Sequence, residues 1–123
     1  MLAYPVWSWP NSTITRVIDG DSLVAHLTKD IGFHGTVTFD QKLRLNRINA
    51  SPVNTQAGKA AMTFLTLKLM SNIVVFLETI SPYKYGDEFM CEITLPTGEN
   101  VSDLMVSSGN AVYWNGQGPR PGG

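Results

Sequence analysis

The amino-acid sequence predicts a mainly β fold with helices, namely a closed five-stranded barrel with two to three helices. Three features support this fold class: short apolar segments rich in β-branched residues, turns containing Gly or Pro, and one central segment with helical periodicity. The chain has 123 residues, of which 43% are hydrophobic and 15% are charged. This length and composition are typical of one globular domain with its own core.

The first half of the chain contains three predicted strands. Apolar, β-branched composition marks residues 13–18, 22–27 and 36–48. The turn Asp19-Gly20-Asp21 joins the first two segments and is typical of a β-hairpin, because Gly accepts a positive φ. The third segment alternates apolar and polar side chains, and we expect a bulge near residues 40–41.

A helix is predicted to begin at a cap formed by Asn54 or Thr55 and to run to about Met70. Its apolar positions share one face, which gives a buried stripe: Ala57, Ala61, Leu65 and Leu69. Further strands are predicted over residues 72–79, 88–95 and 111–114. A short second helix begins at Asn100 and ends at Gly109. A helix between the third and fourth strands of a five-stranded barrel is the arrangement of the oligonucleotide/oligosaccharide-binding (OB) fold.

The ends of the chain differ in composition from its centre. Residues 1–11 combine Pro with Trp7 and Trp9, which predicts an extended arm whose indoles pack on the barrel or on a protein partner. Residues 12–114 form the predicted barrel domain. Residues 115–123 are rich in Gly and Pro and are predicted to be a flexible tail.

Charge excludes a generally basic, nucleic-acid-coating protein, since the net charge is −1. The distribution is uneven: residues 1–75 carry seven Lys or Arg and four Asp, a sum of +3, whereas residues 76–123 carry two and six, a sum of −4. Cys91 is the only cysteine, so no internal disulfide forms, and its apolar neighbours predict a buried strand residue. The first ten residues lack a signal-peptide pattern and no apolar run approaches about 20 residues, so we expect a cytoplasmic protein without membrane contact.

The candidate site combines carboxylates with guanidinium groups. Asp19 and Asp21 lie at a tight Gly turn, and Arg44 and Arg47 lie on the long strand that follows. Carboxylates hold hard cations and Arg holds phosphate, so these residues indicate a site for a nucleotide or a phosphodiester. The alternatives stay open: the carboxylates would brace an Asx-type turn, and each Arg would be a solvated surface charge.

Four segments in order carry a resemblance to a known family. They are VIDGDS at residues 17–22, RLNRINA at 44–50, YKYG at 83–86 and NVSDLMV at 100–106. Together the segments resemble the staphylococcal nuclease (thermonuclease-like) family across residues 12–114. The segments IGFH at 31–34 and YWNGQGPRP at 113–121 are similar to bacteriophage-encoded versions of that domain.

The resemblance implies calcium-dependent hydrolysis of DNA and RNA, but only part of the machinery matches. Asp21 matches a metal ligand, Asp19 lies beside it as a helper carboxylate, and Arg44 matches a phosphate-binding Arg. Asn49 stands where a second metal-binding Asp is expected and would bring calcium a neutral amide oxygen. The expected water-activating Glu is absent at Ser51-Pro52 and an acidic residue replaces the second phosphate Arg, at position 87.

These departures predict a catalytically impaired protein. A general base contributes about 10²–10⁴-fold in rate, and a preorganised electrostatic donor contributes roughly 10²–10³-fold. Asp21 and Arg44 are therefore interpreted as catalytic remnants, and calcium at Asp21 and Asn49 is not assured. The family loop predicts further ligand contacts from Tyr83, Lys84 and Tyr85, beside Asp19, Arg44 and Arg47. His26 and His34 have no partner at metal-ligand spacing and are interpreted as ordinary strand and loop residues.

Three functions stay open. The leading one is binding of a nucleotide or nucleic-acid phosphate without efficient cleavage, as a phage sequestering or host-interaction protein in the host cytoplasm. The second is a weak or rewired metal-dependent nuclease, in which Asp19, Asp21, Asp87 and Glu88 converge on a metal. The third is a protein-interaction module without a ligand, with a protein partner bound through the N-terminal arm.

Overall fold

A computed structural model describes residues 6–70, 73–82 and 87–115, apart from the side chain of His34. Seven strands and two α-helices follow one another along the chain: β1 Trp7–Val17, β2 Ser22–Asp30, β3 Thr36–Leu45, β4 Ile48–Asn49, α1 Gln56–Leu69, β5 Val75–Pro82, β6 Phe89–Thr94, α2 Val101–Ser107 and β7 Val112–Tyr113. A 3₁₀ turn over Gly32–His34 connects β2 to β3. The mainly β architecture with helices agrees with the sequence-based prediction.

Five strands close into a barrel in the order β1-β2-β3-β6-β5. Neighbouring strands are antiparallel except β3 and β6, which run parallel. The short strands β4 and β7 pair with each other outside the barrel. Helix α1 joins the third barrel strand to the fourth, as the sequence predicts. The structure therefore confirms a closed five-stranded barrel with two helices.

The β1–β2 turn holds the carboxylates of the candidate site. The backbone N–H groups of Ile18 and Asp19 both donate to the Ser22 carbonyl, at 2.9 and 3.2 Å. Gly20 is required here because an added Cβ would lie 2.6 Å from the Ala61 Cβ and 2.7 Å from the Ala50 Cβ. This close approach packs the turn directly on α1.

Helix α1 begins where the sequence predicts, because the Thr55 side chain accepts a hydrogen bond from the Gly58 backbone N–H. Its buried face consists of Gly58, Ala61, Leu65 and Leu69. The prediction that Ala57 belongs to this face is wrong, since Ala57 is exposed. Gly58 takes its place because an added Cβ would lie 1.8 Å from the Pro52 carbonyl oxygen, so only Gly fits against that turn.

The predicted N-terminal arm needs a correction. Residues 7–11 form the first half of β1 and pair with β5, from Trp7↔Thr79 to Ser12↔Val75. Trp9 is buried and its indole N–H donates to the Thr79 hydroxyl at 3.1 Å. Thus the barrel begins at Trp7, and of the arm only residues 1–5 lie outside the described residues. The predicted tail also lies outside them over residues 116–123.

Two strand predictions differ in detail. The β2–β3 register is continuous from Asp30↔Thr36 to Ser22↔Arg44, so the predicted bulge at residues 40–41 is wrong. Register shifts fall in β1 and β5 instead. The predicted strand over residues 36–48 ends at Leu45, because Arg47 adopts a left-handed φ of 70° and turns the chain before β4. The prediction that Cys91 is a buried strand residue is confirmed.

Candidate functional site

Arg44 lies on the outer face of β3 but is only 4% exposed. The alternation of the strand explains its direction, because its neighbours Leu43 and Leu45 fill the barrel interior. The ring of Trp114 lies over the guanidinium group, with its centroid 5.9 Å from the Arg44 Cζ. The candidate phosphate-binding group is therefore covered by protein.

Asp21 follows the Gly20 turn and is 2% exposed. Its Oδ1 lies 3.0 Å from the Arg44 Nη1 and accepts a hydrogen bond from the Ser22 hydroxyl at 3.2 Å. Its Oδ2 accepts the Ala50 backbone N–H at 2.9 Å. Both carboxylate oxygens thus have protein donors, which holds Asp21 between the hairpin and the start of the α1 loop.

Asn49 completes the cluster and is 2% exposed. Its Oδ1 accepts a hydrogen bond from the Arg44 Nη2 at 3.3 Å, and the Ile48 carbonyl accepts another from the same nitrogen at 3.3 Å. Asp21, Arg44 and Asn49, which we call the Arg44 bridge, come together as the sequence predicts. In this cluster the guanidinium group lies between the two side chains that the resemblance assigns to a metal.

The Arg44 bridge is a poor fit for calcium. Both prospective ligands, the Asp21 carboxylate and the Asn49 amide oxygen, already contact the cationic Arg44. A divalent ion at the same oxygens would meet a unit positive charge at about hydrogen-bond distance, in a region of low dielectric. Calcium binding would require the guanidinium group to leave.

Among the residues that the structure describes, the carboxylates do not form a second metal site. Within residues 6–70, 73–82 and 87–115, no group of three or more His, Cys, Asp and Glu side chains could hold a metal ion. The convergence of Asp19, Asp21, Asp87 and Glu88 required by the rewired nuclease is therefore not found among these four described residues. The backbone carbonyl of Asp87 accepts a hydrogen bond from the Gln41 side chain at 3.0 Å, beside the start of β6.

Asp19 lies at the edge of the Arg44 bridge and is partly buried. Its Oδ1 accepts a hydrogen bond from the Asp21 backbone N–H at 3.0 Å. This contact is the Asx-type turn that the sequence analysis gives as the alternative to a ligand-binding role. Burial, followed by the hydrogen bond and charge of Asp21, raises the pKa of Asp19 to about 6. Asp19 therefore loses its proton near pH 6, at a higher pH than an ordinary Asp side chain.

Arg47 has internal partners. Its Nε lies 2.7 Å from the Glu92 Oε2 and its Nη1 lies 2.9 Å from the Asp103 Oδ1. Hydrogen bonding to Arg47, followed by that to Tyr113, lowers the pKa of Asp103. Nη2 also donates to the Asn100 side chain at 3.1 Å. These contacts connect the turn after β3 with β6 and α2, and they favour a structural role over the predicted ligand contact.

Several site residues were not predicted from the sequence. Glu92, Asp103 and Tyr113 surround Arg47, and Trp114 covers Arg44. Tyr113 donates to the Asp103 carboxylate at 2.9 Å. They lie about 45 to 70 residues beyond the arginines they contact, and no local pattern in the sequence connects them. Tertiary contacts bring them together: β6 pairs with β3 next to Glu92, the short strand β7 pairs with β4 at Tyr113, and α2 contributes Asp103.

The remaining predicted residues divide into two groups. Tyr83, Lys84 and Tyr85 lie outside the described residues, so their predicted ligand contacts stay predictions. His26 forms an exposed pair with Asp40, with 2.9 Å between the Nδ1 and Oδ1 atoms. This strand contact agrees with the interpretation of His26 as an ordinary residue.

The fold and the cluster together define a class: a closed five-stranded barrel with two helices, in which a buried arginine connects a hairpin carboxylate to a loop amide. Comparison with protein-family models and with curated proteins found no match to this chain. In the part of the chain that the structure describes, no helix is long and apolar enough to cross a membrane.

Proposed function

We propose that this protein is a catalytically impaired member of the staphylococcal nuclease-like class that binds a nucleotide or nucleic acid. Support comes from the order of the four motif segments in the sequence, from the closed five-stranded barrel, and from the contacts that join Asp21, Arg44 and Asn49. The observation that carries the proposal is the position of the Arg44 guanidinium group, which lies 3.0 Å from the Asp21 carboxylate.

This ion pair supports the loss of hydrolysis. A phosphate-binding Arg stabilises a transition state only when its donors point at the developing charge. In the Arg44 bridge the donors point at Asp21, Asn49 and the Ile48 carbonyl instead. Residues 51 and 52, where a water-activating carboxylate is expected from the resemblance, are Ser and Pro. Neither supplies a general base of suitable pKa.

Calcium and a phage setting belong to the same proposal. Asp21 and Asn49 would hold calcium only in a rearranged site, so the proposed binding does not depend on the metal. The similarity to bacteriophage-encoded domains suggests sequestration of a nucleotide, or interaction with a host component, in the cytoplasm of the host cell. The segments IGFH at residues 31–34 and YWNGQGPRP at 113–121 support that setting.

The decisive experiment compares cleavage with binding. Single-stranded DNA is incubated with the parent protein, Asp21→Ala and Asp21→Asn, with calcium and with a chelator. We expect no calcium-dependent cleavage above the level of the two variants. The same parent protein is expected to bind mononucleotides or short oligonucleotides in a calorimetric titration. Calcium-dependent cleavage that both substitutions abolish would refute the proposal.

A second candidate function is a protein-interaction module. It is favoured by the tip of the β2–β3 hairpin, where Phe33 is fully exposed and Ile31 is 45% exposed. Large apolar side chains at a protruding tip are typical of a contact surface. This function replaces the first if no mononucleotide or oligonucleotide binds at low salt and the Arg44→Ala variant gives the same titration result as the parent protein.

A further inference from the structure

A second candidate site lies at the mouth of the barrel, on the inner face of β3. All five barrel strands contribute to a cleft of about 380 Å³. Among the described residues, four aromatic rings and two polar side chains line it: Trp7, Trp9, Phe39, Phe89, Gln41 and Thr79. We call this the aromatic cleft. Its volume lies within the range of about 300–1,000 Å³ that is common for small-molecule sites.

The rings of the aromatic cleft are held in place by the barrel. Trp7 and Trp9 stack with centroids 6.1 Å apart and planes at 19°, and Phe39 meets Trp9 edge-on at 5.5 Å. The hydrogen bond from Trp9 to Thr79 fixes the inner indole. Trp7, Phe39 and Phe89 are 49%, 40% and 37% exposed, so ring surface remains accessible to a ligand.

One cation lies beside the stacked indoles. The Lys29 Nζ is 5.1 Å from the Trp7 ring centroid and 5.4 Å from that of Trp9, and it donates to the Ser8 carbonyl at 3.3 Å. Lys29 pairs with Val37, which lines the cleft, but Lys29 itself lies just outside it and lines a neighbouring cavity beside Ser8. The rim beside Phe89 is instead acidic, because Asp87 and Glu88 immediately precede it. A cation at one rim and carboxylates at the other favour a ligand with a single anionic group over a long polyanion.

We propose that the aromatic cleft binds the base of a single nucleotide, with the phosphate beside Lys29. A planar base would stack on the exposed rings, and the Gln41 and Thr79 side chains would meet its polar edge. Stacking on aromatic side chains accepts any base, because every base has a π face. The inference rests on the proposed nucleotide-binding function but assigns it to a different place from the Arg44 bridge.

The two places are separable on the same strand. Side chains alternate along β3, so Phe39 and Gln41 face the barrel interior whereas Arg44 faces outward. Phe39 and Arg44 are five positions apart, which corresponds to about 17 Å along a strand. A substitution in the aromatic cleft therefore leaves the contacts of the Arg44 bridge intact.

Nuclear magnetic resonance of the indole N–H groups distinguishes the two places directly. The chain has three tryptophans, of which Trp7 and Trp9 line the aromatic cleft and Trp114 covers Arg44. The full ¹⁵N-labelled chain is titrated with adenosine 5′-monophosphate and with adenosine, after assignment by single Trp→Phe variants. We expect the Trp7 and Trp9 signals to shift in a saturable way, while the Trp114 signal stays in place.

Variants test the assignment to the rings and to the cation. Phe39→Ala is expected to weaken adenosine monophosphate binding by about tenfold, as for the loss of one stacking partner. Phe76→Ala is the matched control, because Phe76 is also 40% exposed and lies on β5 outside the cleft. Lys29→Gln is expected to weaken binding of the monophosphate severalfold, with no change for adenosine. Circular dichroism melting checks that each variant is folded at the titration temperature.

Other outcomes overturn the inference in distinguishable ways. A shift of the Trp114 signal alone, lost in Arg44→Ala, would place nucleotide binding at the Arg44 bridge and leave the proposed function standing. Equal weakening in Phe39→Ala and Phe76→Ala would also overturn it, since the ring position would then not matter. If neither compound shifts any indole at millimolar concentration, the cleft assignment fails, and a separate oligonucleotide titration decides whether the proposed function fails with it.

Discussion

Removing the Asp21 carboxylate should destabilise the protein strongly, because this carboxylate forms a buried ion pair with Arg44. Asp21 and Arg44 have side chains only 3% and 5% exposed, and their closest charged atoms are 3.0 Å apart. In Asp21→Ala the guanidinium group would keep the Asn49 amide and the Ile48 carbonyl as acceptors but lose the Asp21 carboxylate, which lies 3.0 Å from its Nη1. The Ala50 N–H would lose its acceptor as well.

The expected cost follows from this burial. Breaking one partner of a buried pair typically costs about 3–5 kcal/mol. An unfolding slope of about 2 kcal/mol per molar urea converts a loss of that size into a fall of roughly 2 M in the urea midpoint. The exposed His26–Asp40 pair is the control, since its side chains are 44% and 62% exposed. His26→Ala should cost less than about 1 kcal/mol.

Equilibrium urea unfolding followed by circular dichroism measures these values in a double-mutant cycle. Arg44→Met removes the charge and keeps an apolar stem, so Asp21→Ala combined with Arg44→Met should be more stable than Asp21→Ala alone by at least about 1 kcal/mol. If Asp21→Ala loses no more stability than His26→Ala, or if Arg44→Met recovers nothing, the ion pair is not the stabilising contact that its geometry implies.

Three further substitutions test other parts of the fold. Gly20→Ala should destabilise by about 1–3 kcal/mol through overpacking against the Ala61 and Ala50 side chains, and a melting temperature equal to that of the parent would show that this turn is not tightly packed on α1. The pKa of Asp19 in the folded state is raised to about 6 from 3.8, so the protonated carboxyl stabilises the folded protein. This contribution to the free energy of unfolding is complete below about pH 4 and is lost as the pH rises through about 6. Asp19→Asn should therefore be more stable than the parent at pH 7 and lose this part of the pH slope in urea titrations; an unchanged slope would refute the assignment. Arg47→Ala should cost about 1–2 kcal/mol by removing the partner of the partly buried Glu92, and a melting temperature equal to that of the parent would show that these ion pairs add nothing.

Local sequence motifs were sufficient to predict much of the fold. The two-Asp turn predicted the first hairpin, a cap at Asn54 or Thr55 predicted the start of α1, and Asn100 predicted the start of α2. Each of these signals acts between residues two to four apart, where the sequence alone contains both partners. The clustering of Asp21, Arg44 and Asn49 was predicted from the family resemblance, because local patterns do not show which distant residues meet.

The features that were missed depend on distant partners. Trp7 belongs to the barrel because its strand pairs with β5, about 70 residues further along the chain. The sequence around Trp7 does not indicate this pairing. Arg47 looks solvent-facing in sequence because the carboxylates that bind it are on β6 and α2. The burial of Arg44 likewise depends on Trp114. Whether a charge faces water or a partner is decided by tertiary packing, which a single sequence does not encode locally.

The pairing of β1 with β5 has a consequence for how the chain folds. The contact between Trp9 and Thr79 closes the barrel across 70 residues of sequence. Contacts of such long separation carry a large loop-closure entropy and form slowly relative to local hairpins. On the ribosome, β1 and β2 emerge early, but the partner of Trp9 is absent until most of the chain has been made. The N-terminal tryptophans therefore remain exposed until β5 has been synthesised, and transiently exposed apolar surface of this kind is prone to aggregation.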